Sequence, residues 1–193
     1  MGEHKATVTR KAGVDLGFSA EEKQKLRELA LGAIRARCLG LAMPEVHIDE
    51  PRLKALGAAF VCIHKGRELR GCIGMLEART PLCETVTRMA VEAAFGDPRF
   101  CSLDSGELDA IDLEISVLTP MRPVGEISEI QIGKHGLFIR KGFRAGLLLP
   151  QVATEHDLDV ERFLQWTCHK AGLPEGAWKD KDIEIFVFSA DIF

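Results

Sequence analysis

A short apolar segment of the sequence holds two residues that could do chemistry together. In the run Leu69–Gly74 (Leu-Arg-Gly-Cys-Ile-Gly), Arg70 and Cys72 are two positions apart, so on a strand they share one face. A guanidinium beside a partly exposed thiol lowers the thiol pKa and activates it as a nucleophile. We therefore predict Cys72 as a catalytic nucleophile and Arg70 as the group that recognises an anionic or carbonyl oxygen. In the alternative interpretation, Cys72 is a small buried hydrophobe and Arg70 pairs with a carboxylate.

Two glycines interrupt this segment. Glycine inside a strand lowers stability unless the backbone bends or another group approaches it closely. The pattern therefore predicts close approach to the segment. We expect ligand contacts from its remaining members, namely Leu69, Gly71, Ile73 and Gly74.

Four residues elsewhere could complete a site. Asp97 and Arg99 flank a proline in a turn that could aim a carboxylate and a guanidinium at a ligand or could equally form a structural salt bridge. The position of Asp97 favours a bond to the backbone just beyond the helix end. His135 lies in a glycine-rich loop, where an imidazole acts as acid or base near neutral pH or only fixes the turn. Gln151 could orient a ligand amide or cap the next segment. We predict all four as ligand-binding residues.

Several better-known sites are excluded by spacing. The run Gly66–Gly71 has the glycine spacing of a phosphate-binding loop but lacks the lysine and hydroxyl that follow it. No dinucleotide fingerprint opens a helix, and no serine nucleophile elbow occurs. Cysteines and histidines do not have the paired spacing of a zinc site. The sequence therefore predicts no metal and no cofactor.

The amino-acid composition indicates which classes of partner are disfavoured and which cellular compartment is expected. Lys and Arg total 25 against 29 acidic residues, a net charge of −4, so nucleic-acid binding is disfavoured. No apolar run is long enough to span a membrane, and residues 1–17 lack the apolar core of a signal peptide. We predict a cytoplasmic protein whose six cysteines are free thiols. The basic residues are typical of a solvated face: Arg35, Arg37, Lys134, Arg140, Lys141 and Arg144.

Strands occur in hairpins, which indicates antiparallel sheets and an α+β fold. A Ser19–Glu22 capping box opens a helix that ends near Gly40. Ala58–His64 and Glu68–Leu76 form one predicted hairpin, and a second surrounds Gly142. The other predicted elements are a helix starting at Pro81, a strand over Leu113–Leu118, a helix over Val160–Ala171 and a strand over Ile183–Phe188.

Proline and glycine near residues 121–125 predict a boundary between two unequal lobes. We expect residues 1–17 to be a poorly ordered leader. Residues 18–123 plus 179–193 would form the larger lobe, and about 124–178 the smaller one.

The run Leu69–Gly74 is identical to the signature of the AMMECR domain family. The chain also resembles this family, in family order, at Ala94–Phe100, His135–Leu137, Leu147–Ala153 and Cys168–Leu173. It departs from the usual family pattern at Leu158-Asp159 and at Cys101-Ser102. The stand-alone prokaryotic form is similar to protein A of the AmmeMemoRadiSam system.

The resemblance implies two α+β lobes, each with an antiparallel sheet, and a cleft between them lined by the signature. It also implies a Memo-like protein and a radical SAM enzyme as partners. The leading functional hypothesis is that this cleft binds a small-molecule or polypeptide substrate, with chemistry at Cys72. The rival hypothesis is a non-enzymatic adaptor that binds a partner protein, and RNA association is a third, less favoured one.

Overall fold

The computed structural model describes residues 12–44 and 47–193 of the chain. The chain forms two compact units. The first unit comprises Asp15–Pro120 together with Asp191–Phe193, and the second comprises Met121–Ala190 together with the described residues up to Val14. Helices and antiparallel sheets are mixed throughout, so the prediction of an α+β fold is confirmed.

The first unit contains three helices and most of one sheet. Helix α1 begins after a capping box formed by Ser19 and Glu22 and ends at Gly40, whose φ of 65° is left-handed, so both predicted ends are confirmed. The sheet order is β2-β1-β3-β8, which makes β2 an edge strand. The elements are α1 (Ala20–Leu39), α2 (Pro51–Lys54), β1 (Ala58–Lys65), β2 (Glu68–Gly74), α3 (Leu82–Phe95), β3 (Ile111–Leu118) and β8 (Ala190–Ile192).

One face of this sheet is covered by α1 and α3. Alternate residues of the central strand β1 point into the core, namely Ala59, Val61 and Ile63, and all three are inaccessible to solvent. Helix α3 contributes Val86, Ala90 and neighbouring residues to the same cluster. The other residues of β1 point away from the helices, and Cys62 is among them. The paired residues of β2 and β3 follow the same alternation.

The second unit has its own sheet and core. The sheet order is β4-β7-β5-β6, and the β5–β6 hairpin turns at Gly142 as predicted. Leu137, Ile139 and Val187 face a core completed by Phe163 and Leu164 of α5. The elements are β4 (Arg122–Pro123), β5 (Gly136–Lys141), β6 (Arg144–Leu148), α4 (Pro150–Glu155), α5 (Val160–Lys170) and β7 (Glu184–Phe188).

The C-terminal segment is divided between the units. The sequence-based division assigned all of 179–193 to the larger lobe, but β7 pairs with β4 and β5 of the second unit. Only the last residues join the first sheet, where Phe193 and Ile115 exchange two backbone hydrogen bonds of 2.8 and 3.1 Å. The hydrophobic pattern of β7 predicts a strand, but it carries no information about which of two sheets the strand joins.

The predicted leader is described in part. Residues 1–11 lie outside the described residues. Gly13 donates a backbone hydrogen bond to Gly133, Val14 donates one to Ala190, and Leu16 donates to the carboxylate of Asp191. Over the described ranges, no helix combines the length and the apolar character needed to cross a membrane.

Candidate functional site

The two glycines of the signature allow close packing around β2. A Cβ atom on Gly71 would lie 2.1 Å from the backbone oxygen of Ala93 in α3. A Cβ atom on Gly74 would lie 2.2 Å from the ring of Phe60 on β1. Both distances are far below van der Waals contact, so a side chain at Gly71 would have to displace helix backbone and one at Gly74 would have to displace the Phe60 ring. The close approach that the glycines predict is therefore made by the protein itself.

A β-bulge at Arg70 changes the register of the signature strand. The ladder pairs Lys65 with Glu68 near the turn and Ile63 with Gly71 further along, which leaves Arg70 as the extra residue on β2. The extra residue places Leu69, which pairs with His64, on the face of Cys72. Strict alternation along the strand would instead place Leu69 on the face of Gly71 and Ile73.

The guanidinium of Arg70 is held by the segment that follows α3. It forms a two-pronged ion pair with Glu107, with N–O distances of 3.0 and 2.9 Å, and donates to the backbone oxygens of Cys101 and Ser102 at 2.8 and 3.4 Å. The side chains of Arg70 and Glu107 are only 16% and 13% exposed. Hydrogen bonding from Arg70 lowers the pKa of Glu107 to about 2. Arg70 therefore anchors the 101–107 segment to β2.

This ion pair predicts acid sensitivity. Because the pKa of Glu107 falls from 4.5 to about 2 on folding, its stabilisation is complete above pH 4.5 and disappears as pH falls towards 2. We expect Glu107→Gln to lower the free energy of unfolding at pH 7 and to flatten its slope between about pH 5 and 3. Urea unfolding across this pH range measures both effects. The control is Glu68→Gln, which removes an exposed carboxylate from β2, the strand that carries Arg70. If Glu68→Gln flattened the pH dependence of the unfolding free energy as much as Glu107→Gln does, the prediction would be contradicted.

Asp97 and Arg99 bind the free edge of β2. Asp97 is 5% exposed, and its carboxylate accepts the backbone N–H of Cys72 at 2.9 Å. Arg99 donates to the same carboxylate at 2.9 and 2.6 Å and reaches the carbonyl of Cys72 at 3.3 Å. Hydrogen bonding from Arg99 holds the pKa of Asp97 well below its usual range. The pair thus satisfies both backbone groups that Cys72 presents at the sheet edge.

Cys72 lies directly opposite Cys62 on β1, and the two form a disulfide with a Cα–Cα distance of 4.1 Å. Because the backbone groups of Cys72 bond to Asp97 and Arg99, this is a pair without ladder hydrogen bonds, the arrangement in which opposed side chains come closest. The prediction that all cysteines are free thiols is therefore wrong for this pair. Free cysteines are Cys38, Cys83, Cys101 and Cys168.

Comparison with known proteins identifies the family. The sequence model of the AMMECR1 family matches residues 27–193. The chain belongs to the AMMECR1 family. A protein of Methanothermobacter thermautotrophicus is 41% identical over 185 residues, covering 91% of this chain and 95% of the relative. A protein of Methanopyrus kandleri is 44% identical over 151 residues, covering 74% of this chain and 73% of the relative.

The fold is also that of a solved crystal structure. The crystal structure of an uncharacterized protein from Pyrococcus horikoshii matches this chain with a TM-score of 0.82 and 36% sequence identity. The match covers 86% of this chain and 88% of the other. The signature strand, α3 and the Asp97–Arg99 turn all lie within the residues that the AMMECR1 model matches.

Two predicted site residues of this AMMECR1 protein belong to the second unit. His135 is 6% exposed, and its Nδ1 accepts the backbone N–H of Gln131 at 3.2 Å. Burial lowers the pKa of His135, which favours the neutral imidazole that this bond requires. Gln151 is 7% exposed in the first turn of α4. The hypothesis that both residues act together with Arg70 and Cys72 stays a prediction.

Several of the basic residues predicted to form a solvated face have partners within the fold. Arg140 forms a two-pronged ion pair with Glu184, and Lys141 pairs with Asp180 and Asp182. Arg144 donates to the backbone oxygen of Gly172. These three side chains are thus held by partners within the second unit. RNA association stays a prediction. Within the described ranges, no three side chains of His, Cys, Asp or Glu converge as a metal ion would require.

Two partners of the signature were missed by sequence reasoning. Glu107 lies three residues after Asp104, with which it forms a capping box, so the sequence marks a local turn but not a partner for Arg70. Cys62 lies in the predicted hairpin with Cys72. A regular hairpin continued from the Lys65–Glu68 pair would place Cys62 opposite Gly71, and only the bulge brings it to Cys72.

An apolar groove lies in the first unit, on the outer side of α1 and α3. Its volume is about 630 Å³. Two cationic side chains, Lys54 and Arg88, lie on its exposed rim, and neither pairs with a carboxylate of the residues that the structure describes. The other lining residues are Leu29, Met43, Pro44, Ile48, Pro81, Cys83, Glu84, Thr87 and Val91.

Proposed function

We propose that this AMMECR1 protein is an adaptor, and that the groove on its first unit binds an amphipathic helix of a partner protein. The observation that carries the proposal is the groove itself, which is open and lined by apolar side chains of α1 and α3 together with Met43, Pro44 and Ile48. A contiguous apolar concavity with a polar rim is typical of a protein interaction site.

The groove favours a helix with an apolar face flanked by acidic residues. Most of its helical lining is one face of α3, and Leu29 is the residue that α1 contributes, so an incoming helix can lie against α3 with its side-chain ridges in the grooves of that helix. Lys54 and Arg88 favour acidic residues beside the apolar face of the incoming helix, and among the described lining residues Glu84 is the one carboxylate. We therefore expect apolar anchors at positions i, i+3 or i+4, and i+7, flanked by Asp or Glu.

The signature supports an adaptor over a thiol enzyme. An arginine that activates a thiol or binds a substrate must be able to leave its resting contacts. Here Arg70 is bound to Glu107 and to two backbone carbonyls. These contacts are the ones expected of residues that hold β2 and the 97–107 segment together. Catalysis by Cys72, and ligand binding by Leu69–Gly74, stay predictions.

The family resemblance suggests where a partner can be sought. It implies a Memo-like protein and a radical SAM enzyme, and an exposed acidic amphipathic helix on either one would have the chemistry that the groove favours. We propose these two proteins as the first partners to test.

The test uses a phage-displayed library of 16-residue helical peptides, with apolar and acidic positions randomised. The library is selected on the full chain and counter-selected on Met43→Glu, which places a charge in the groove. We expect enriched peptides to combine an apolar stripe with acidic flanks. Fluorescence anisotropy of the best peptide should show about tenfold weaker binding to Met43→Glu or Arg88→Glu.

Leu41→Glu is the matched control, because Leu41 is 61% exposed, lies two residues from Met43 and does not line the groove. Its affinity for the peptide should equal that of the wild type. The proposal is wrong if no selected peptide distinguishes wild type from Met43→Glu, or if Leu41→Glu has the same effect. Sedimentation of the free protein as a dimer that Met43→Glu dissociates would instead assign the groove to a second copy of the chain.

A further inference from the structure

We propose that Cys62 and Cys72 form a reversible thiol–disulfide exchange centre that reacts with low-molecular-weight thiols. This site is separate from the groove, and its test does not depend on the adaptor function. The centre needs neither a second protein nor a metal, because the two sulfur atoms that form and break the disulfide both belong to this chain.

The ladder holds the two cysteines opposite each other independently of the disulfide. On one side of the pair, Val61 faces Ile73 and Phe60 faces Gly74. On the outer edge, Asp97 and Arg99 hold the backbone of Cys72. Reduction therefore breaks one covalent bond without releasing either strand. The two thiols stay opposed, which favours re-formation of the disulfide.

The two sulfur atoms differ in access. Cys62 is 7% exposed on the central strand, whereas Cys72 is partly exposed on the edge strand. Which sulfur a thiolate attacks depends on access as well as on the leaving group. The geometry thus assigns Cys72 as the sulfur that is attacked and Cys62 as the one that leaves.

The reaction balances with two equivalents of an external thiol. The thiolate of the first attacks the sulfur of Cys72, forming a mixed disulfide while the Cys62–Cys72 bond breaks and Cys62 takes up a proton. The thiolate of the second attacks the external sulfur of the mixed disulfide and releases the external disulfide and the Cys72 thiol. The protein gains two electrons and two protons, and the external thiols are oxidised to their disulfide. The reverse direction oxidises the protein.

The remaining cysteines do not form such a centre. Cys168 is buried, and burial raises the pKa of its thiol. Cys101 is exposed, and its backbone oxygen accepts from Arg70. It is an accessible thiol without a bonded partner, and it must be replaced by serine so that it does not add to the labelling.

The experiment equilibrates the full-length Cys101→Ser protein, without denaturant, in buffers of varied ratio of glutathione to glutathione disulfide. Free thiols are then trapped with N-ethylmaleimide and located by peptide mass spectrometry. We expect Cys62 and Cys72 to gain label together over one two-electron transition, with an unchanged far-ultraviolet circular dichroism spectrum. In oxidised glutathione, Cys62→Ser should form the mixed disulfide at Cys72 about tenfold faster than Cys72→Ser forms it at Cys62.

Three results would overturn the proposal. Full labelling of both cysteines in every buffer would show that no disulfide forms. A disulfide that glutathione reduces only after guanidinium unfolding would be a static cross-link. Equal rates of adduct formation in the two serine variants would remove the assignment of Cys72 as the attacked sulfur.

Discussion

Replacing Gly71 by alanine should lower the free energy of unfolding by about 3 kcal/mol or more. The new methyl group would lie 2.1 Å from the backbone oxygen of Ala93, and the obstacle is a helix backbone that cannot rotate away as a side chain can. The strand β2 and the helix α3 must separate to admit it. Separation also disturbs the contacts of Ile73 and Ala93 in the first core. The expected loss of stability in Gly71→Ala therefore comes from overpacking of the new methyl group against helix backbone.

Urea unfolding followed by circular dichroism measures this loss, and thermal unfolding should show a midpoint lowered by about 6–12 °C. The matched control is Gly176→Ala, because a Cβ atom at Gly176 meets nothing within 4 Å and its φ is not left-handed. The control should stay within about 0.5 kcal/mol of the wild type. A Gly71→Ala protein as stable as the control would show that α3 does not pack this closely on β2.

Asp97→Ala should cost about 2–3 kcal/mol of folding stability. The buried carboxylate accepts hydrogen bonds from the backbone of Cys72 and from the backbone and guanidinium of Arg99. Its removal leaves the N–H of Cys72 without an acceptor at the sheet edge. The guanidinium of Arg99 is 47% exposed, so water can solvate it, which keeps the cost below that of a fully buried ion pair.

Two variants locate the cause of this loss. Asp97→Asn keeps one acceptor oxygen and the shape of the side chain, so we expect a smaller loss of stability. Asp109→Ala removes a carboxylate that is 97% exposed and lies 3.4 Å from Arg35, and it should change stability by less than about 0.5 kcal/mol. Amide hydrogen exchange at Cys72 should accelerate in Asp97→Ala and stay slow in Asp109→Ala. Unchanged exchange at Cys72 in Asp97→Ala would contradict the role of this carboxylate at the strand edge.

The local structure of this chain is strongly encoded in its sequence. The capping box at Ser19, the left-handed end of α1 at Gly40 and the hairpin around Gly142 depend on neighbours within a few residues, and all three are observed as predicted. The antiparallel character of the sheets follows from the same hairpins. The α+β class could therefore be predicted before any coordinates were considered.

The chemistry of the signature could not be predicted in the same way. Strict alternation along β2 places Arg70 and Cys72 side by side, but the bulge at Arg70 interrupts that alternation. The contacts of β2 with the 97–107 segment join residues about 25 to 37 positions apart, which no spacing within the strand encodes. Glu107 and Cys62, the partners of Arg70 and Cys72, were for this reason missed.

The first sheet is completed by the last residues of the chain. Phe193 bonds to Ile115, and Asp191 forms an ion pair with Lys23 and accepts the N–H of Leu16. During translation, Ile115, Lys23 and Leu16 can form these contacts only after all of Met121–Ala190 has been synthesised. The side of β3 that pairs with β8 therefore stays open while these residues are synthesised, so closure of the first sheet is a late folding step.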